Sequence, residues 1–244
     1  MSRNMGYAEL LGRLLTVVNG REATTYRSPT RTGACLYFAD GAPSCLHGHV
    51  FAGLGHDEES LAMDNGETAA TAYAALGYEL TPRAETLATV TQESQDDGVA
   101  WGRCVQSGMA SALLIEDSEA DRRVGDLTVI ATIEHLGRRY RPQTRTWPEA
   151  PTFAPPSLSV DCEPASLLGQ AFRLWGTTPE QVRRTDNARA VDALTALGWQ
   201  LSARAWSLIV SAQEAENAGH PWDEIAHLVA TLNVDIEPGT EVDR

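Results

Sequence analysis

The chain contains no lysine. All 19 of its basic residues are Arg, set against 33 Asp and Glu, for a net charge of −14 over 244 residues. Residues 1–120 hold 7 Arg against 16 acids, and residues 121–244 hold 12 against 17. Neither half has the cationic excess that neutralises phosphates and releases counterions, so direct nucleic-acid binding is not expected. A DNA mimic would need a denser acidic face; a solvated acidic surface is the plainer reading. No apolar run reaches membrane-spanning length, and Met1–Gly6 opens no signal-peptide core, so a soluble, cytoplasmic protein with no membrane partner is expected. Only four cysteines are present, Cys35, Cys45, Cys104 and Cys162, which without a secretory signal points to reduced thiols. No phosphate-binding loop appears: Gly53-Leu54-Gly55-His56 lacks the preceding strand and the Lys such loops use.

What is present repeats. Gly48 and Gly169, Gly55 and Gly176, Gly77 and Gly198, Gly98 and Gly219, and Trp101 and Trp222 are each 121 residues apart. Around them Ala75-Leu76-Gly77-Tyr78-Glu79-Leu80-Thr81-Pro82 answers Ala196-Leu197-Gly198-Trp199-Gln200-Leu201-Ser202-Ala203. A constant offset over this span indicates an internal duplication. The fold expected is mainly α with small β-hairpin elements (α+β), in two tandem, pseudo-symmetric copies of one helical module. Residues 1–120 form the first copy, and 121–244 the second with a proline-rich arm at 142–164. The charged run Glu116–Arg123 reads as a linker or exposed loop.

Leu10, Leu11, Leu14, Leu15 and Val18 predict a helix over 6–19, with Leu127-Thr128-Val129-Ile130 matched to Leu15-Thr16-Val17-Val18. A short strand at 35–38 and a turn at Asp40-Gly41 follow. Ser44 is expected to cap a helix over 45–54. Further helices are expected over 57–62, 68–76, 82–97 and 100–114, with Thr81-Pro82 as N-cap and first helical residue. The last of these is matched by 222–232. Pro148, Pro151, Pro155, Pro156 and Pro164 exclude helix and central strand from the arm.

Cys45, His47 and His49, with Cys35 and His56 nearby, are zinc-type residues. On a helix they point in three directions, and the second copy carries Ser166, Leu168 and Gln170, so no metal or other cofactor is expected. Asp96-Asp97 could serve general acid–base chemistry, but a solvated helix end before Gly98 is the simpler reading. His135, His220 and His227 belong to no nucleophile motif. No catalytic residue is assigned and no enzymatic activity is expected. Trp101 and Trp222 read as core anchors. Trp147, Phe153, Trp175 and Trp206 lack an aromatic counterpart in the other copy, and each is either second-copy core filling or an interface residue. Arg138, Arg139, Arg141 and Arg145 form the one basic cluster, a solvated loop or a patch for an acidic surface. The candidate partner-binding set is therefore Trp147, Phe153, Arg138, Arg139, Arg141, Arg145 and Trp175.

Ala42-Pro43-Ser44-Cys45-Leu46-His47-Gly48-His49-Val50, Leu80-Thr81-Pro82-Arg83-Ala84 and Gln95-Asp96-Asp97-Gly98-Val99-Ala100-Trp101 resemble a module of actinobacterial and actinophage proteins. In length and two-copy architecture the chain resembles the recombination directionality factors of Streptomyces temperate phages that use a large serine integrase, and a lysine-free composition fits such genomes. The resemblance implies a regulatory protein in the bacterial cytoplasm. Its partner would be the DNA-bound integrase, switched from integration (attP×attB) to excision (attL×attR). The residues leave other readings open: a phage inhibitor of a host protein or defence system, a zinc-dependent enzyme at Cys45, His47 and His49, or a transcriptional regulator.

Overall fold

The structure is a computed structural model and describes residues 2–28, 36–61, 66–139, 159–160, 163–164, 166–184 and 188–232. It is mostly helical with small two-stranded sheets. Two compact units divide it, Met1–Ala131 and Thr132–Arg244.

In the first unit, strand β1 (Arg3–Met5) leads into helix α1 (Tyr7–Val18). The hairpin β2 (Phe38–Ala39) and β3 (Ala42–Pro43) precedes α2 (Leu46–Gly53), a single 3-10 turn at Glu59–Leu61 and α3 (Ala69–Ala75). Strand β4 (Tyr78–Leu80) pairs in parallel with β1, Arg3 opposite Tyr78 and Met5 opposite Leu80. Helices α4 (Pro82–Asp96) and α5 (Trp101–Ala112) pack on one another. A 3-10 turn at Glu119–Arg122, strand β5 (Arg123–Val124) and α6 (Asp126–Arg139) follow. The core is the apolar stripe of α1, in which Leu10, Leu11, Leu14, Leu15 and Val18 are buried against α2, α4 and α5. Each such side chain contributes on the order of 1.5–3 kcal/mol.

Helix α4 organises this unit through two glutamines one turn apart. Gln95 Oε1 accepts the N–H of Leu46, the first residue of α2, at 2.7 Å, and Gln92 Oε1 accepts the N–H of Ala69, the first residue of α3. Helix starts leave main-chain N–H groups without partners, and a buried start must find an acceptor. One helix thus supplies acceptors for two others. Thr81 caps α4 itself, accepting from Ala84 N–H at 3.2 Å.

Two expectations are corrected here. Ser44 does not cap α2. Cys45 does, its Sγ accepting Gly48 N–H at 3.4 Å, while Ser44 donates to the Leu36 carbonyl. The run 116–123 is no exposed linker. Asp121 is buried and accepts from Tyr7 N–H at 2.8 Å, from Ser118 N–H at 2.8 Å, and from the hydroxyls of Ser118 and Thr81. The first N–H of α1 is buried and demands an acceptor, and the charged run supplies it. The first compact unit runs to Ala131, inside α6.

The second unit holds the hairpin β6 (Ser159–Val160) and β7 (Glu163–Pro164), then α7 (Leu167–Trp175), α8 (Pro179–Arg184) and α9 (Ala190–Ala196). Strand β8 (Gln200–Leu201), α10 (Ala203–Asn217) and α11 (Trp222–Leu232) complete it. Its core takes Leu167, Leu168, Phe172 and Trp175 of α7, Leu194 of α9, Leu208, Ile209 and Ala212 of α10, and Ile225 and Val229 of α11. Of the stretch 142–164, only the hairpin lies within the described residues. No helix among the described residues is long and apolar enough to cross a membrane.

Candidate functional site

The zinc-type residues are dispersed by the fold. Cys45 is spent as a helix cap, and Cys35 lies outside the described residues. His47 is wholly buried, with Nε2 3.1 Å from the Ala88 carbonyl and Nδ1 3.3 Å from the Tyr73 hydroxyl. A carbonyl only accepts, so Nε2 carries the proton and Nδ1 accepts from Tyr73. Burial lowers the His47 pKa to about 4, which keeps the ring neutral. Its ring meets Tyr73 edge-on at 5.8 Å within a cluster that includes Phe51 and Tyr37. His49 points elsewhere, against the Trp101 ring at 5.6 Å, and burial with the Arg21 charge lowers its pKa. Among the described residues no three His, Cys, Asp or Glu side chains are placed to hold a metal ion.

Of the expected partner-binding residues, Trp147, Phe153, Arg141 and Arg145 lie outside the described residues. Arg138 and Arg139 end α6 and are exposed. Trp175 is corrected: it is 0% exposed, its indole N–H donates to Thr132 Oγ1 at 3.0 Å, and its ring lies 5.9 Å from Phe172 and 6.3 Å from Trp199. A buried indole with its one donor satisfied is core filling.

The second unpaired tryptophan behaves oppositely. Trp206, on the first turn of α10, is 45% exposed, and Leu228 (40%) and Leu232 (38%) on α11 are exposed as well. Arg204 Nη2 reaches the Leu232 carbonyl at 3.4 Å, which brings the start of α10 beside the end of α11. Leu228 and Leu232 are one turn apart on one face. These three side chains lie outside the stripe that Leu208, Ile209, Ala212, Ile225, Ala226 and Val229 bury, and Leu113 (37%) and Leu114 (86%), just past α5 in the first unit, are exposed too. Sequence reasoning singled out Trp206 but missed Leu228 and Leu232, because apolar residues at helical spacing read as core. The available signal lay 121 residues upstream, where Glu85, Ser107 and Ser111 stand.

Exposed aromatic and aliphatic side chains of this kind are ones that protein partners commonly bury. Compared with protein families, with curated proteins and with solved structures, the chain matches none.

Proposed function

We propose that the protein is a recombination directionality factor of a phage that uses a large serine integrase, acting in the bacterial cytoplasm by binding the integrase and performing no chemistry itself. The observation that supports this reading beyond the sequence resemblance is the exposure of the large apolar side chains Trp206, Leu228 and Leu232 on a chain of net charge −14, which suits a protein partner already seated on DNA. Such a factor works by differential affinity. Moving an integrase equilibrium from 1:99 to 99:1 requires binding one arrangement about 10⁴-fold more tightly than the other.

We also infer that the chain is a tandem duplication of one helical module, and matched main-chain geometry supports this. Leu46 N–H to Gln95 and Leu167 N–H to Glu216, and Ala69 N–H to Gln92 and Ala190 N–H to Gln213, are pairs of hydrogen bonds 121 residues apart at both ends. The hairpins at 38–43 and 159–164, the helices Ala69–Ala75 and Ala190–Ala196, and Pro82–Asp96 and Ala203–Asn217 keep the same spacing. At the module's start the spacing is 119: β1 ends at Met5 with α1 from Tyr7, and β5 ends at Val124 with α6 from Asp126. The Leu15–Leu127 match had suggested 112.

The deciding experiment is in vitro recombination with the serine integrase of the same genome. The expected result is gain of attL×attR and loss of attP×attB recombination on adding the protein. No effect of folded protein in excess on either reaction rejects the reading and favours an inhibitor of a host protein.

A further inference from the structure

We propose that residues 236–244 clasp the second module as the run 115–122 clasps the first, with Asp243 accepting the hydrogen of the Ser202 hydroxyl at the start of α10. This rests on the duplication reading above and is independent of the integrase.

The occupant is written in the sequence. Ile115-Glu116-Asp117-Ser118-Glu119-Ala120-Asp121-Arg122 returns after α11 as Ile236-Glu237-Pro238-Gly239-Thr240-Glu241-Val242-Asp243-Arg244. Both Glu residues, Ile, the second Asp and Arg are identical, while Thr replaces Ser and Val replaces Ala. The offset passes from 121 at Ile236 to 122 at Thr240 through one added residue, in Pro238-Gly239. Residues 233–244 lie outside the described residues.

The described residues form the seat. In the first unit the Thr81 hydroxyl accepts Ala84 N–H at 3.2 Å and donates to Asp121 Oδ1, so both of its roles are used. Asp121 Oδ2 accepts the N–H and the hydroxyl of Ser118, which closes the run on itself as well as on α4. Arg83, two residues after Thr81, donates to the Ile115 carbonyl through Nε and Nη2. Ser202 stands 121 residues after Thr81 with the same backbone, φ −63° and ψ 154° against −66° and 157°. Its Oγ accepts Ala205 N–H at 3.0 Å, and among the described residues nothing accepts its hydrogen.

Burial differs as a missing cover requires. Thr81 and Arg83 are each 7% exposed, whereas Ser202 is exposed and Arg204 half-buried. A carboxylate at Ser202 would also lie at the positive end of α10. Thr240 carries the hydroxyl with which Ser118 holds Asp121. The chain is long enough: Asp121 follows the end of α5 by nine residues, and Asp243 follows the end of α11 by eleven.

The test is hydrogen exchange by mass spectrometry on the full-length protein, with circular-dichroism melting for the fold and sedimentation for the oligomeric state. Asp243→Ala should speed exchange over the start of α10 at least about tenfold, as Asp121→Ala does over the start of α4. Glu241→Ala, matched to the exposed Glu119, should stay within about twofold of wild type. With Ser202→Ala already in place, Asp243→Ala should add less than about twofold, because its partner is gone. If Asp243→Ala does not fold, Asp243→Asn gives the same readout. A full tenfold effect in the Ser202→Ala background overturns Ser202 as the partner. Gln92→Ala and Gln213→Ala test the duplication separately, since they should loosen the starts of α3 and α9 alike. Unequal effects of that pair overturn the duplication and the clasp with it. Equal effects there with unchanged exchange in Asp243→Ala overturn the clasp alone. A dimer that Asp243→Ala dissociates overturns the contact within one chain in favour of one between two copies.

Discussion

Glu216 Oε1 accepts the main-chain N–H of Leu167 at 2.6 Å, holding the start of α7 from α10 as Gln95 holds the start of α2 from α4. The two acceptors differ in one respect, since the glutamate titrates and the glutamine does not. Burial raises the Glu216 carboxyl to about 7, against the lowering effect of the Leu167 and Leu168 N–H groups and the Trp222 indole. Between its ordinary pKa near 4.5 and about 7, the folded state holds more proton than the unfolded one. This contribution is therefore fully present below about pH 4.5 and lost as pH rises to about 7, amounting to at most about 3 kcal/mol for a partly solvated group. Glu216→Gln keeps the hydrogen bond and should flatten the dependence, raising stability at pH 8. Hydrogen exchange of the α7 amides between pH 5 and 8 measures it.

The first unit should respond with the opposite sign. His47 has its pKa lowered to about 4 by burial, below an ordinary 6.5. Its contribution is fully present above about pH 6.5 and is lost as pH falls toward 4, by about 3 kcal/mol. The second unit has Leu168 and Leu194 where the first has His47 and Tyr73, so it lacks this dependence. Amide exchange in α2 and in α7 should move in opposite directions between pH 6.5 and 5. Parallel movement would sink both assignments.

Asp121→Ala should cost about 3 kcal/mol or more in urea unfolding, because it leaves Tyr7 N–H and the Thr81 hydroxyl without their buried acceptor. Glu119→Ala, on the same turn and exposed, should change stability by less than about 0.5 kcal/mol. Equal effects of the two would mean that the run does act as a solvated linker.

Two glycines of α2 give a paired test. A Cβ on Gly48 would sit 1.9 Å from the Tyr37 carbonyl oxygen, whereas one on Gly53 meets nothing within 4 Å. Gly48→Ala must push α2 off the β2–β3 hairpin and should cost about 3 kcal/mol. Gly53→Ala should be neutral or stabilise by up to about 1 kcal/mol through helix propensity. Thermal melts of the two variants separate the cases.

Helix positions were legible where local chemistry decides them. Thr68 and Thr81 cap α3 and α4 as side-chain acceptors, Pro82 opens α4, and Gly77 and Gly98 follow the helix ends with φ of +83° and +76°. The cap of α2 was misassigned between neighbours, although Ser166, 121 residues after Cys45, marks the position directly by accepting Gly169 N–H at 2.8 Å. The candidate surface was only partly legible. Trp175 and Trp206 look alike in sequence, each an unpaired tryptophan in the second half.

What separates those two tryptophans is tertiary. Thr132 and the rings of Phe172 and Trp199 surround the Trp175 indole, and nothing comparable covers Trp206. The acidic balance, the 121-residue recurrence and most helix limits could be read from the chain order alone, because charge, glycine spacing and caps act over a few residues at most. Packing in three dimensions buries Asp121, makes His47 a neutral core residue and leaves Leu228 and Leu232 facing water. Those outcomes depend on which distant N–H, carbonyl or ring arrives beside the side chain, and helical periodicity carries no record of that.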